Sequence, residues 1–354
     1  MLIPLIPILL LIALAWLLGL LRRSMNGVPR TNDDFDLAGL RVGTGRVNGG
    51  NGANGANGTS GANSKNGANP ASAFYGSALM PKILGASLRG IDRIAPKMCT
   101  RGALELFCTP MPWKFSMRGV VPSRWKTESS TFESGALVTY RRRGIGTGKS
   151  KVLLVHGWAG SGAQLFRLGD VLADAGYDPV LLDLPAHGRS DGLQSTLPQF
   201  QRAIYSVASR IGPLYAIVAH SLGATAAMHA TARGLPVERL VLVAPSAPPM
   251  MFLRWFAGAF GLRDSVADRM RESIESREGV AIAEFEPEWL GPRIRQSVLV
   301  IHDESDRVAP LAASQRALRR MSNARLHITK GLGHRRVLDD RDVASEVVAH
   351  LAAA

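Results

Sequence analysis

Cysteine is nearly absent: Cys99 and Cys108 are the only two in 354 residues. That number excludes a disulfide framework and a zinc-ligand pattern, so both thiols are expected reduced and partly buried. Acidic residues are also scarce, 28 Asp and Glu against 42 Lys and Arg, for a net charge of +14. No nucleic-acid-binding motif accompanies this excess, and nucleic acid is not expected as a partner. A basic surface facing an anionic membrane is the reading preferred, with an ordinary solvated surface as the alternative. The first 77 residues contribute only +3 of the charge and leave +11 to the rest. Nothing in the sequence calls for a metal or an organic cofactor.

Charge is wholly missing from Leu2 to Leu21. Some 20 apolar residues match the ~30 Å hydrocarbon thickness of a bilayer. Pro4 and Pro7 stand near the start of the run, where a helix tolerates them. A cleavable signal peptide would want basic residues before the apolar run and small residues at its end. Here Arg22 and Arg23 come after the run, and Trp16 and Leu17 stand where small residues would help cleavage. Residues 1–21 are therefore expected to be an uncleaved, single-pass anchor with the bilayer as partner. Arg22, Arg23 and Arg30 place the remainder of the chain on the cytoplasmic side of the inner (cell) membrane. Residues 22–77 form an Asn/Gly/Ala-rich stretch in which Asn48, Asn51, Asn54 and Asn57 recur every third position, with Asn63, Asn66 and Asn69 in phase. The repeat has a collagen-like period but not the proline that stiffens a triple helix. Too few apolar side chains remain to build a core, so a disordered, flexible linker is expected.

From residue 78 the pattern becomes globular. Ala136–Arg142, the short apolar run Val152–Val155, Pro179–Leu184, Leu214–Ala219, Leu240–Val243, Val298–Ile301 and Arg325–Thr329 read as strands. Helical patterns fall between them, at Gly162–Ala175, Phe200–Ile211 and from Asp342 to the end. Alternating strands and helices predict an α/β domain with a mostly parallel sheet covered on both faces. In such sheets chemistry sits at the carboxyl ends of the strands.

The residues able to carry chemistry fall at those ends. After the strand Leu214–Ala219 the chain reads Ala219-His220-Ser221-Leu222-Gly223. A nucleophile on a sharp strand-to-helix turn needs small residues two positions to either side, and the turn lifts its hydroxyl clear of the backbone. Ser221 is the candidate nucleophile. Such a serine needs a base, and the base needs a third group to fix its tautomer. His334, in Gly331-Leu332-Gly333-His334, is the candidate base. Asp306 is the preferred acid, with Asp303 as its rival. Both come after the Val298–Ile301 strand, in the required order serine, acid, histidine. The loop after Val155, His156-Gly157-Trp158-Ala159-Gly160, supplies an oxyanion site, for which the amides of Trp158 and Leu222 are named. His156 and His220 are read as packing residues that brace the two turns.

Taken together, His156-Gly157-Trp158, Asp183-Leu184-Pro185-Ala186-His187-Gly188-Arg189-Ser190, Ala219–Gly223, Asp306 with Pro310, and Gly333-His334 resemble the successive motifs of the α/β-hydrolase superfamily, in particular its bacterial serine hydrolases. The resemblance covers about 130–354. It departs from the usual pattern at Ala219, where glycine is common, and at Asp303. It implies the α/β-hydrolase fold, and it implies that an insertion at about 246–296 forms a small helical cap. Within it Phe252, Phe256 and Phe260 lie at i, i+4, i+8. Phe252, Trp255 and Phe256 are the expected substrate-binding residues; the alternative is a helix packed on the core. The expected activity is cleavage of a small-molecule carboxylic ester or thioester through an acyl-Ser221 intermediate. Acyl transfer or amide hydrolysis by the same residues, and a silent membrane-tethered binding module, are the alternatives. The oligomeric state is not legible.

Overall fold

The computed structural model describes residues 79–110, 118–146 and 148–353. The expected anchor, 1–21, and the Asn/Gly/Ala-rich stretch, 22–77, lie outside the described residues. Among the described residues no helix is long and apolar enough to cross a membrane.

Eight strands make one sheet: β1 Trp125–Phe132, β2 Gly135–Arg142, β3 Lys151–Val155, β4 Asp178–Asp183, β5 Ala216–His220, β6 Arg239–Val243, β7 Ser297–Asp303 and β8 Ala324–Thr329. Their order is β1-β2-β4-β3-β5-β6-β7-β8. β1 and β2 form an antiparallel hairpin, and β2 is antiparallel to β4. From β4 through β3, β5, β6 and β7 to β8 every pairing is parallel. Parallel neighbours need crossovers, so helices cover both faces and the central strands see no water. Accordingly Val152, Leu153, Leu154, Ile217, Val218, Leu240, Val241 and Leu242 are buried, on alternate faces of the sheet. Each such side chain contributes about 1.5–3 kcal/mol by leaving water, which is why these short runs can be strands without alternating polarity.

The helices are α1 Leu79–Ile94, α2 Pro96–Phe107, α3 Phe166–Asp174, α4 Leu197–Ile211, α5 Leu222–Ala232, α6 Pro249–Ala259, α7 Asp264–Glu278, α8 Pro287–Leu290, α9 Leu311–Leu318, α10 Gly333–Arg336 and α11 Arg341–Ala352. Helix α4 starts three residues earlier than its apolar pattern suggests. Thr196 caps it by accepting from the Gln199 N–H at 3.3 Å, and Pro198 occupies its first turn, where no backbone donor is needed.

The chain between β6 and β7 is helical, as the expected cap requires. It does not stand alone. Leu253, Phe256, Phe260, Val266, Met270 and Ile274 of α6 and α7 share one core with Cys99 and Ala103 of α2, and Leu84, Leu88 and Ile91 of α1 pack against it. The helical pair α1–α2, which sequence reading left unassigned, is thus the second half of the cap layer. Buried Asp92 secures the join by accepting from Arg263 at 2.6 Å and from Arg269. Arg269 also donates to Thr100 Oγ1 at 2.9 Å, and Arg89 to the Phe260 carbonyl at 2.9 Å.

Candidate active site

Ser221 lies between the end of β5 and the start of α5, with φ 53° and ψ −123°. Positive φ is unusual for a residue with a Cβ and costs of order 1–3 kcal/mol, sustained only where the surroundings over-determine it. Here the Ser221 N–H donates to the Val243 carbonyl at 3.0 Å, and its own carbonyl accepts from Ala224 at 3.0 Å. The small residues around it have unequal reasons. A Cβ on Gly223 would stand 2.2 Å from the His156 carbonyl oxygen, and one on Gly157 would stand 2.7 Å from the Ser221 Cβ. Ala219, by contrast, sits inside β5 in ladder register with Val155 and Leu242, buried without conflict. The departure at Ala219 is harmless because the close approach is made at Gly223. Gly223→Ala is therefore expected to lose about 1–3 kcal/mol through overpacking, seen as a thermal midpoint several degrees lower. Ala219→Gly should cost only about 0.5–1 kcal/mol, the strand-glycine penalty. Equal midpoints for the two variants would contradict this geometry.

Ser221, His334 and Asp306 come together in a hydrogen-bonded row. His334 Nε2 is 3.0 Å from Ser221 Oγ, and its Nδ1 is 2.7 Å from Asp306 Oδ2. With the proton on Nδ1, His334 donates to the carboxylate and presents an Nε2 lone pair to the serine hydroxyl. The other oxygen of Asp306, Oδ1, accepts from the amides of Val308 at 2.8 Å and Ala309 at 2.9 Å. Burial alone would raise the Asp306 pKa. The hydrogen bond and electrostatic attraction of His334, with the two amides, outweigh it and hold the carboxyl below its ordinary range.

The rival acid does not touch His334. Asp303, fully buried at the end of β7, accepts from Ser305 N at 2.9 Å on Oδ1 and from Thr329 Oγ1 and Leu332 N at 2.9 Å on Oδ2. It pins the loop that carries His334. Burial pushes its pKa up, and the amides of Gly333 and Leu332, the Thr329 hydroxyl and the Ser305 amide bring it below the ordinary value.

The four histidines around these turns are neutral braces. His156 donates from Nδ1 to the Gly157 carbonyl at 2.7 Å and accepts from Leu184 N at 3.0 Å. His187 mirrors it, donating from Nδ1 to the Pro185 carbonyl at 2.8 Å and accepting from Ala159 N at 3.0 Å. The pair locks the loop after β3 to the loop after β4. His220 donates from Nε2 to the His334 carbonyl at 2.8 Å; burial, then the positive charge of nearby His334, drives its pKa down to about 3. His302 donates from Nε2 to the Ala309 carbonyl at 2.8 Å and so steadies the Asp306 loop.

Trp158 and Leu222, the residues expected to form the oxyanion site, both line the cavity into which Ser221 opens. Among the described residues no backbone acceptor takes the N–H of either outside the regular helix and strand bonding. The cavity, with its mouth, has about 900 Å³ of empty space. Phe252, Trp255 and Phe256 line it together with Pro249, Ile274 and Ile282 of the cap. Phe260 does not: it is buried in the cap core, its ring 4.6 Å from that of Phe256. Sequence reading missed Phe107 and Cys108 at the end of α2 and Ser195, Leu197 and Pro198 at the start of α4, all of which line the same cavity. Phe107 meets Phe256 edge-on at 5.4 Å. The available signal was Pro96 followed by apolar residues at helical spacing through Phe107.

Residues 151–296 match the family model for the alpha/beta hydrolase fold. That span includes Ser221 and ends before Asp306 and His334. No curated protein matches the sequence. Among solved structures, a membrane phospholipase A described as a bacterial virulence factor is similar at 16% identity and a TM-score of 0.50, over 77% of this chain and 92% of the other. Est1E from Butyrivibrio proteoclasticus, solved with ferulic acid bound, is similar at 17% identity and a TM-score of 0.50, over 64% of this chain and 100% of the other. Likeness at this level speaks to fold. With the parallel sheet, the turn at Ser221 and the matched span together, the described domain has the α/β-hydrolase fold.

Proposed function

We propose that the protein is a serine hydrolase that cleaves a carboxylic ester or thioester with an apolar acyl group. The observation that carries this reading is a single juxtaposition. Ser221 Oγ lies 3.0 Å from His334 Nε2 and opens into a cavity walled by Phe107, Trp158, Leu197, Phe252, Trp255 and Phe256.

In the proposed reaction the Ser221 hydroxyl attacks the acyl carbonyl and its proton passes to His334 Nε2. Asp306, already bonded to Nδ1–H, stabilises the resulting imidazolium without taking the proton. The tetrahedral oxyanion is met by the N–H groups of Trp158 and Leu222, the latter at the amino end of α5, where the helix dipole adds to the donor. His334 then returns the proton to the leaving alcohol or thiol, and the carbonyl re-forms as an ester to Ser221. Water attacks this ester with His334 again as base and releases the acid. The histidine braces have a role here. Donors and base that are already positioned need no reorganisation when charge develops.

The aromatic and aliphatic wall supports an acyl chain as the bound portion, because burying apolar surface is favourable and the wall offers few partners for a polar substituent. A series of esters and thioesters of graded straight-chain length tests the reading. Specificity, as kcat/KM, is expected to rise by about fourfold per added methylene, at roughly 0.8 kcal/mol each, until the cavity is full, and then to fall. A flat response across chain length, or no turnover of any member, would contradict it.

A further inference from the structure

The outer face of α1–α2 combines exposed cations with exposed aliphatic side chains. From Lys82 to Leu104 the helices carry five exposed cations, Lys82, Arg89, Arg93, Lys97 and Arg101. Asp92 in that span is buried and taken up by Arg263 and Arg269, and Arg101 pairs at 3.1 Å with exposed Glu105 one turn on. Lys82, Arg93 and Lys97 make no ion pair among the described residues. Between them stand apolar side chains that the fold leaves in water: Ile94 is 84% exposed, Met98 58% and Ile83 44%. Ile94 and Met98 flank the turn between the two helices, and Arg93 and Lys97 adjoin them. The inner face is fully used, since Leu84, Leu88, Ile91, Cys99 and Ala103 pack on α6 and α7. The exposed aliphatics are therefore not the remainder of an unfinished core.

We propose that this outer face is a docking surface for an anionic lipid bilayer. Aliphatic tips ringed by long basic side chains suit an interface, where the tips enter the acyl boundary and the ammonium and guanidinium groups stay with the headgroups. The one exposed carboxylate of α2, Glu105, is answered by Arg101 at 3.1 Å, and the cations Lys82, Arg93 and Lys97 that remain unpaired among the described residues make the face complementary to negative lipid. A soluble protein partner of mixed charge would not require that bias. The placement also has a consequence for access. Met98 precedes Phe107 on the same helix, and at a rise of ~1.5 Å per residue the cavity wall lies about 14 Å from the docked side chains.

The test uses the full-length chain with an environment-sensitive fluorophore on Ile94→Cys. The native thiols of Cys99 and Cys108 are buried, so labelling is selective. Emission is read with phosphatidylcholine vesicles, with and without phosphatidylglycerol. A blue shift is expected on the anionic vesicles only, reversed by molar salt because the attraction is then screened within ~3 Å. Arg93→Glu, Lys97→Glu and Arg101→Glu together should abolish it, since each lost cation weakens partitioning by about fivefold. The same fluorophore on Glu238→Cys, exposed at the opposite, amino-terminal end of the sheet, should not respond. Circular dichroism and the thermal midpoint establish that each variant is folded. Hydrogen exchange of the 82–101 amides in the unlabelled chain, with and without vesicles, is an independent readout. Equal shifts on neutral and anionic vesicles would overturn the proposal, as would a shift that survives charge reversal. So would a shift that grows with protein concentration without vesicles, which would assign the face to a second copy of the chain. None of these readouts depends on hydrolysis, so their failure is separable from failure of the proposed activity.

Discussion

Ser221→Ala and His334→Ala are each expected to lower kcat for ester hydrolysis on the order of 10⁶-fold, with the domain still folded. The two groups act as one unit. Without the imidazole the Ser221 hydroxyl keeps its proton, and without Oγ the imidazole has nothing to activate. The double variant should therefore be no worse than either single one, because effects within such a unit do not add. Folding should survive because neither side chain is a core element. Ser221 Oγ faces the cavity, and His334 lies in a short helix with no buried residue. The positive φ at 221 is imposed by the bonds to Val243 and Ala224, which an alanine retains. Steady-state kinetics with the thermal midpoint recorded for each variant checks both halves of the statement. Substantial turnover by a folded Ser221→Ala protein would remove the serine from the mechanism.

Asp306→Asn and Asp303→Asn should separate cleanly, although only two residues lie between them. Asparagine at 306 keeps the shape and can still accept from Val308 and Ala309. Facing His334 it presents an amide, which draws the imidazole into the other tautomer. The proton then sits on Nε2, toward Ser221, and the base is blocked. The expected result is a loss in kcat on the order of 10⁴-fold. Asp303→Asn leaves the 2.7 Å bond between His334 and Asp306 in place. Its effect should be on stability, about 1–3 kcal/mol, because the amide cannot accept all the donors now converging on the carboxylate. The pH dependence has a definite sign. The folded-state pKa of Asp303 is depressed, so its contribution is fully present above the unfolded value and is lost as pH falls through the folded value. Below about pH 4 the wild type should lose midpoint more steeply than Asp303→Asn, which lacks that titration. Should Asp303→Asn prove the more damaging to kcat, the roles of the two acids would be exchanged.

Much of the hydrolase domain was legible because its sheet is buried on both sides. The central strands β3, β4, β5, β6 and β7 carry short, deeply buried apolar runs, and a covered parallel sheet accommodates so many of them between helices. One strand, β1, was missed. Its sequence, Trp125-Lys126-Thr127-Glu128-Ser129-Ser130-Thr131-Phe132, is mostly polar because it is the edge of the sheet and only Trp125 is deeply buried. The hydrogen-bonded row was legible for a different reason. Each member comes just after a strand end, and the order along the chain matches the order the chemistry needs. Choosing Asp306 over Asp303 rested on spacing to Pro310, and the structure gives the physical ground: one carboxylate meets the imidazole, the other holds its loop. The cap was only half legible. Helices α1 and α2 bury their apolar face against α6 and α7 rather than against the sheet, and the residues joined across that contact lie 169 to 177 positions apart in sequence. Local periodicity carries no trace of such a pairing. For the same reason Phe107, Cys108 and the residues of 195–198 could not be assigned to the cavity, whereas Phe252 and Phe256 could. Phe260 continues the same spacing but stands just past the end of α6 and is buried in the cap core without lining the cavity, whereas Phe256, equally buried, does both.

The central claim is that Ser221 is an activated nucleophile, and a fluorophosphonate probe addresses it most directly, since phosphonylation requires a serine whose proton can be taken by a base. The labelled protein is digested and the modified peptide located by mass. Labelling of the wild type on the peptide containing Ser221, lost in Ser221→Ala and strongly slowed in His334→Ala, is the predicted result. A folded wild-type protein that takes up no probe, or that is labelled as fast in Ser221→Ala, would contradict it.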